Sequence, residues 1–359
     1  IIILNNTNNK HTFKKDGILY ALSLDGKNIT SFPSKGLYRA NVSCDGADGR
    51  WLYDDWKLAI ENVTGDVSCN IKFETITKTY LSDYITGLAG TTQGTGQVVN
   101  EKGYRYEGKN PNNYVWFNNE YWRIIGVFDS ASHGQNNKNL VKIIRADVLD
   151  GLAWEKSNTN DWTAASLNKL LNGAYYNAQD GTSSGYCYGG GKTVTANCDY
   201  TKKGIQAGYR GMIAKVTWYL GGYSSNSATA ESFYGYERGT TVYSGRPTTT
   251  TGYIGLMYPS DYGYSVLSSS CARTTNLGSY SNSTCAGQSW LYGKGEEWTL
   301  TSASPNGYAV FVAHTNGNLD NIGGGAGNGY VARPVLYLDA SVYKIDGEGT
   351  LDKPYIIGV

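Results

Sequence analysis

Six cysteines, and the way they fall, constrain this chain more than any other feature. Cys44 and Cys69, Cys187 and Cys198, and Cys271 and Cys285 are near neighbours in sequence, each pair separated by a polar, turn-rich stretch. The arrangement reads as three local disulfides, which persist only in an oxidising compartment. A chain of 359 residues has interior enough to fold without them. Their expected work is therefore to pin long exposed loops, outside the cytoplasm. Six free thiols are the alternative, and no CxxC or Cys/His metal spacing competes for the sulfurs.

Thirty-one Tyr, nine Trp and 46 Gly stand against seven Phe and two Met. Tyr and Trp join an apolar body to a polar tip, which suits strand surfaces and binding faces wet on one side. The net charge is +1 and Lys and Arg form no long run, so a nucleic-acid partner lacks its electrostatic footprint. No run of about eighteen apolar residues occurs, so no membrane span is expected. Ile1, Ile2, Ile3 and Leu4 precede an Asn-rich stretch, Asn5 to Asn9. They read as the tail of a removed signal or anchor, as a strand of their own sheet, or as an assembly strand donated to a neighbouring subunit.

The expected fold class is mainly β with few short helices (α+β). A small β-sandwich-like module spans 1–78, a short helix and linker 79–100, and a second domain 101–359. In the module, 18–24, 37–42, 56–60 and 67–73 alternate with period two, as half-buried strands do. Asp25-Gly26 supplies a hairpin turn. A Cys44–Cys69 bridge then clips two strands of one sheet. Residues 80–88 read as a short helix ending at Gly87, and 89–97 as a linker or long loop.

In the second domain, 121–128 and 140–145 read as adjacent buried strands joined by a polar turn around His133-Gly134. Thr163 to Gly173 is the best helix, with Thr163 as N-cap, Leu167, Leu170 and Leu171 on one face, and Gly173 as its stop. A further helix is expected over 228–236, and strands over 254–257, 297–300, 308–312 and 331–338.

Two resemblances rest on particular residues. Trp56-x-Leu58, Asn62-Val63-Thr64 and Cys69-x-Ile71-x-Phe73 resemble the small β-repeat modules of bacterial surface proteins, related to those flanking internalin-type adhesins. Further on come Tyr121-Trp122-Arg123-Ile124-Ile125-Gly126, Trp162 with Leu167 to Asn172, Ile254 to Tyr264, Glu297 to Leu300, and Arg333 to Leu338. In that order they resemble bacterial and phage surface proteins with a C-type-lectin-like domain, whose fold is similar to that of formylglycine-generating factors. This resemblance covers roughly residues 100–359. It implies a C-type-lectin-like domain over 101–359, with the loops before the last core strands forming part of a ligand face.

Enzymatic chemistry finds little to stand on. His11, His133 and His314 are scattered in unlike contexts, and no HExxH, GxSxG or Walker-type loop occurs. Glu296 and Glu297 are adjacent on a strand, so they point to opposite faces and make no acid/base pair; they read as exposed charge. His314 reads as a loop-entry histidine with a local hydrogen bond. Formylglycine-generating enzymes use reactive cysteines, whereas these cysteines are expected in bridges. No catalytic residue, metal or cofactor is assigned. Calcium is the one ion entertained, at Asn318, Asp320 and Asn321 or at Asp346 to Gly349, although the lectin triplet Glu-Pro-Asn is absent. Four Asn-x-Ser/Thr matches, at Asn28, Asn41, Asn62 and Asn282, arise readily by chance in a chain this rich in Asn and Thr.

The positive signal is the Asn-, Gly- and Tyr-rich stretch from Thr315 to Tyr330, the composition of adaptable recognition loops. Expected ligand-binding residues are Tyr258, Tyr262, Tyr264, Trp290, His314, Asn316, Asn318, Asp320, Asn321 and Asn328. The expected protein is extracellular or at a cell surface, binding a glycan or a surface protein without catalysis. Alternatively it is a filament or pilus subunit whose partners are copies of itself, joined through Ile1 to Leu4.

Overall fold

The computed structural model describes residues 2–5, 18–192, 197–321 and 325–359. The chain is mainly β with few short helices. It divides into two compact units, Ile1–Thr79 with Lys344–Asp346, and Tyr80–Tyr343 with Gly347–Val359.

In the first unit, Ile18–Leu24, Lys27–Ile29, Tyr38–Asp45 and Val67–Thr75 form a four-stranded sheet. Ile2–Asn5, Lys57–Glu61 and Asp48–Leu52 form a three-stranded one. The period-two pattern sets the packing. Val67, Cys69, Ile71 and Phe73 point inward from one strand and share a core with Leu22, Trp51, Leu58 and Ile60. Asp25 and Gly26 both take left-handed backbone, at φ 48° and 78°, as a two-residue hairpin turn requires. Cys44 and Cys69 face one another across antiparallel strands with Cα atoms 4.0 Å apart and are bridged, as expected. Gly49 crosses over this bridge, and a Cβ there would lie 2.3 Å from the Cys44 sulfur.

Ile2–Asn5 pairs in parallel with Lys57–Glu61, Ile2 opposite Ala59 and Ile3 opposite Ile60. The strand is thus part of its own unit's sheet. Ile1 and His11 lie outside the described residues.

The second unit carries a long sheet in which Ile254–Gly255, Val335–Tyr337, Leu140–Arg145, Glu120–Phe128, Tyr114–Phe117 and Tyr355–Gly358 follow one another. A second sheet orders Leu149–Ala153, Gly329–Ala332, Glu297–Ser302, Val310–Ala313 and Leu319–Asp320. Trp122, Trp154, Trp218 and Trp298 fill the interior. The remaining four cysteines pair as expected, Cys187 with Cys198 and Cys271 with Cys285.

Several local expectations need correction. The stretch 89–97 is not merely a linker: Thr92–Gln93 and Gly96–Asn100 are strands, the latter paired with Tyr104–Gly108. The helix over 163–173 starts later and runs past its glycine. Ser166–Leu170 is α-helical and Leu171–Tyr175 continues as a π-helical turn. Thr163 does not cap it, because its N–H and hydroxyl are turned back onto Asp161 Oδ1 at 3.0 and 2.7 Å. Leu167, Leu170 and Leu171 do share a buried face. Residues 331–338 are two strands in different sheets, broken at Arg333-Pro334, since proline cannot donate to a ladder.

Residues 258–264, expected in a loop, include the helix Pro259–Tyr264, buried at every position. Pro259 opens it, and the Asp261 carboxylate reaches back to the Tyr258 N–H at 2.9 Å. Asp261 also anchors a buried ionic cluster. Arg105 Nη1 donates to its Oδ1 at 2.9 Å, and the Lys142 ammonium sits against Oδ2. Side-chain exposure at all three is 2% or less. Burial alone would raise the Asp261 carboxyl, but Lys142 and Arg105 outweigh it and hold it below the usual range. Burial pulls Lys142 down to about 8 against the opposing pull of Asp261. The cluster is closed to solvent and its members satisfy one another, which makes it part of the scaffold.

Candidate functional site

The hairpin joining Val310–Ala313 to Leu319–Asp320 turns through His314 to Asn318. Its backbone is fixed from several sides. His314 N donates to Asn318 O and Gly317 N to His314 O, both at 2.9 Å. Tyr262 OH donates to Gly317 O at 2.7 Å from inside, and Tyr292 OH to Thr315 O at 2.7 Å from the edge. The neighbouring loop, closed by Cys271–Cys285, joins the hairpin through Asn282 N to Asn316 O at 3.0 Å. Gly317 is required at this contact. Its φ is +101°, and a Cβ there would lie 2.5 Å from the Ala286 Cβ.

Glu296 locks the hairpin's entry. Its Oε1 accepts from Thr315 N at 3.1 Å and Thr315 Oγ1 at 2.9 Å, and its Oε2 lies against His314 Nδ1. Burial acts to raise this carboxyl. The two Thr315 bonds and His314 outweigh burial and hold it below the ordinary range. A carboxylate depressed on folding stabilises above its unfolded-state pKa, and that stability is lost as pH falls through the lower folded value. Hydrogen-exchange protection at Thr315 and Asn316 is thus expected to drop on acidification below the usual carboxylate range. Glu296→Gln should remove most of that pH dependence; an unchanged acid profile in the variant would refute the lock.

Glu296 lies just before the strand Glu297–Ser302, and the two glutamates take different partners, Glu296 the hairpin and Glu297 Arg333. The expectation that both are exposed charge is corrected at Glu297. It is 2% exposed and holds Arg333 by two bonds, Nε to Oε1 at 2.7 Å and Nη2 to Oε2 at 2.8 Å. His314 makes the local bond expected of it. Its Nδ1 is oriented by a carboxylate, but among the described residues no hydroxyl or thiol is hydrogen-bonded to the other ring nitrogen. His133 is buried, with Nε2 at 3.0 Å from Phe128 O.

The aromatic members of the expected ligand set belong to the core. Tyr258, Tyr262, Tyr264 and Trp290 are all buried. Tyr258 OH is bonded to Tyr219 O at 3.1 Å, and Trp290 Nε1 to Tyr106 O at 2.8 Å. The Tyr264 ring lies 4.7 Å from the Arg105 guanidinium carbon. The polar tips of Tyr258, Tyr262 and Trp290 are used inside the fold, and the Tyr264 ring is packed against Arg105, so these aromatics order the loops from within. The hairpin brings His314, Asn316, Asn318, Asp320 and Asn321 into one region, with Asn316 exposed and the others half-buried. Asn328 sits in a separate turn, its N–H on Gly325 O and its side chain 3.3 Å from Tyr330 OH. Of the stretch 315–330, residues 322–324 lie outside the described set.

Thr315, Asn282, Ser283 and Thr284 complete the exposed face beside Asn316. Thr315 opens the stretch that the sequence singled out, whereas Asn282, Ser283 and Thr284 were signalled only by the bridge that delimits their loop and by the Asn-x-Thr match at Asn282. The patch offers amides and hydroxyls on a tied backbone, with one carboxylate at its edge. Among the described residues, no three His, Cys, Asp or Glu side chains converge as metal ligands would. No helix of the described residues is long and apolar enough to cross a membrane. No family model, curated protein or solved structure matches this chain.

Proposed function

We propose that this is a non-catalytic extracellular or cell-surface protein of bacterial or phage type, whose second unit is a C-type-lectin-like domain recognising a glycan or surface protein. The observation that carries the reading is the pair of polar loops, 281–285 and 314–318, joined to each other and anchored to the core before any partner arrives. Loops ordered in advance lose less conformational entropy on binding, so modest polar contacts suffice. The three disulfides are compatible with an oxidising environment. Arrays of glycans and of surface extracts test the reading. The combined variant Asn282→Ala/Thr315→Ala/Asn316→Ala is expected to lose at least about tenfold in affinity, the equivalent of roughly 1.4 kcal/mol. Unchanged binding in that variant, or none in the parent, defeats it.

A filament built by strand donation is the second reading, favoured by one observation. Ile2–Asn5 is the edge of its sheet, and its removal would open the hydrogen-bonding edge of Lys57–Glu61, where Ala59 and Ile60 are buried. Deleting residues 1–9 is expected to abolish assembly into fibres seen by electron microscopy, and adding a peptide of those residues to occupy the vacated edge. Fibres that form as before would dismiss strand donation.

A further inference from the structure

The hairpin formed by Tyr114–Phe117 and Glu120–Phe128 has two unlike faces. Tyr114 stands opposite Arg123 and Trp116 opposite Tyr121, so these four side chains share one face. Val115, Phe117 and Trp122 alternate with them and fill the core. On the shared face the rings meet edge to face, with centres 5.1 Å apart for Trp116 and Tyr121 and 6.1 Å apart for Tyr114 and Tyr121. Tyr121 is 37% exposed, and Tyr114 and Trp116 are half-buried. Among the described residues, nothing is hydrogen-bonded to the Tyr114 hydroxyl, the Trp116 N–H or the Tyr121 hydroxyl, and none of the three is sealed from solvent. Tyr258, Tyr262 and Trp290 are the opposite case, their polar tips spent inside the fold.

The same face carries positive charge without a counter-ion. Arg123 is only 7% exposed. Its Nε donates to Asn113 Oδ1 at 2.7 Å and its Nη2 to Pro111 O at 3.2 Å. Its guanidinium carbon lies 4.3 Å from the Tyr114 ring centre and 4.7 Å from that of Trp290. Held on these sides, it keeps Nη1 without a partner among the described residues, and no carboxylate pairs with it. Burial pushes the guanidinium down to about 10, with the like charge of Arg333 adding to it against the opposing pull of Tyr114. Lys294, four residues beyond Trp290, is exposed and has no ion-pair partner among the described residues. Burial, Arg333 and Arg123 lower its ammonium below the usual lysine range, while Asp147 and Glu297 act the other way. Glu297 is already spent on Arg333. Three cations against two carboxylates leave one positive charge in excess. An ionised group buried without a counter-charge is costly, and an anion docked at Arg123 and Lys294 offsets that cost.

The aromatic face narrows the kind of anion. A guanidinium fork matches the plane of a carboxylate. Exposed Tyr and Trp rings offer an apolar surface to C–H groups and a free polar tip to hydroxyls, a combination that suits sugar rings. Successive residues on one face of a strand stand about 7 Å apart, so a ligand reaching from Trp116 and Tyr121 past Arg123 is an extended chain rather than one small molecule. We propose that this face binds an acidic polysaccharide, with sugar rings lying on Trp116 and Tyr121 and uronic carboxylates meeting Arg123 and Lys294. The face shares no residue with the loops 281–285 and 314–318 and does not depend on their reading.

The test passes the full chain over immobilised polygalacturonate, polymannuronate and hyaluronan, each beside its carboxyl-reduced counterpart, with binding read by surface plasmon resonance. At least one acidic polymer is expected to bind at least about tenfold more tightly than its reduced form, and less tightly as salt is raised. Arg123→Gln should erase that preference. Lys294→Ala and Tyr121→Ala should each weaken the acidic polymer by about fivefold or more; both side chains are exposed, so they keep the test alive should Arg123→Gln fold poorly. The Asn282/Thr315/Asn316 variant should bind the acidic polymer as the parent does, so failure of the polar-loop reading and failure of this face are separable. Polyglutamate should compete at least about tenfold less well than the uronate polymer. No binding, equal binding of the reduced polymers, binding unchanged in Lys294→Ala and Tyr121→Ala, or polyglutamate competing equally well would each overturn the proposal, the last by making the face a site for acidic protein.

Discussion

Asp261→Ala is expected to lower the stability of the second unit by about 4 kcal/mol or more, the largest effect of any single substitution considered. Removing one partner of a buried ion pair typically costs about 3–5 kcal/mol, because the remaining charge is stranded away from water. Here two cations, Arg105 and Lys142, would be stranded together, and the Tyr258 N–H would lose its acceptor. Denaturant unfolding followed by hydrogen exchange in residues 102–145 and 254–266 reads the effect. The companion variant Arg105→Met/Lys142→Met/Asp261→Asn separates charge from packing. With no charge left to strand and the cap to Tyr258 retained, it should recover most of the loss. A single variant that costs less than about 1 kcal/mol, or a triple that is worse than the single, would show that Asp261 does not hold this core through its charge.

In the first unit the largest expected effect is that of the Cys44–Cys69 bridge. The crosslink joins positions 25 apart in sequence, and closing a loop of that length in the unfolded chain is worth about 3.5 kcal/mol on the entropic account. The unit is small, and small domains have only about 5–10 kcal/mol of total stability, so this is a large share. Cys44→Ala/Cys69→Ala should lower the opening free energy of amides in residues 18–75 by about that amount. Dithiothreitol should do the same to the parent and little to the variant. A parent indifferent to reductant would mean that the antiparallel pairing of Tyr38–Asp45 with Val67–Thr75 alone carries the unit.

Patterns of short range were legible in the residues themselves. Alternation over 67–73 placed Cys69, Ile71 and Phe73 on one inward face, and Asp25-Gly26 placed a hairpin. The cysteine pairs were readable because loops of this length bring their ends together at little cost. The core identity of Tyr258, Tyr262, Tyr264 and Trp290 was not. An aromatic with a polar tip looks the same in sequence whether its partner is a ligand or a backbone carbonyl far along the chain. Trp290 finds Tyr106 O across 184 positions, and Tyr262 finds Gly317 O across 55.

The residues alone determined the β-rich class, the crosslink partners, and the richness of 314–321 in amides and glycine. Each depends on neighbours a few positions apart, or on the backbone period that fixes where successive side chains point. Only the tertiary structure decided which tyrosines are sealed and that Asp261 gathers Arg105 and Lys142. Burial and pairing of a polar group are settled by segments that folding brings from a hundred or more positions away.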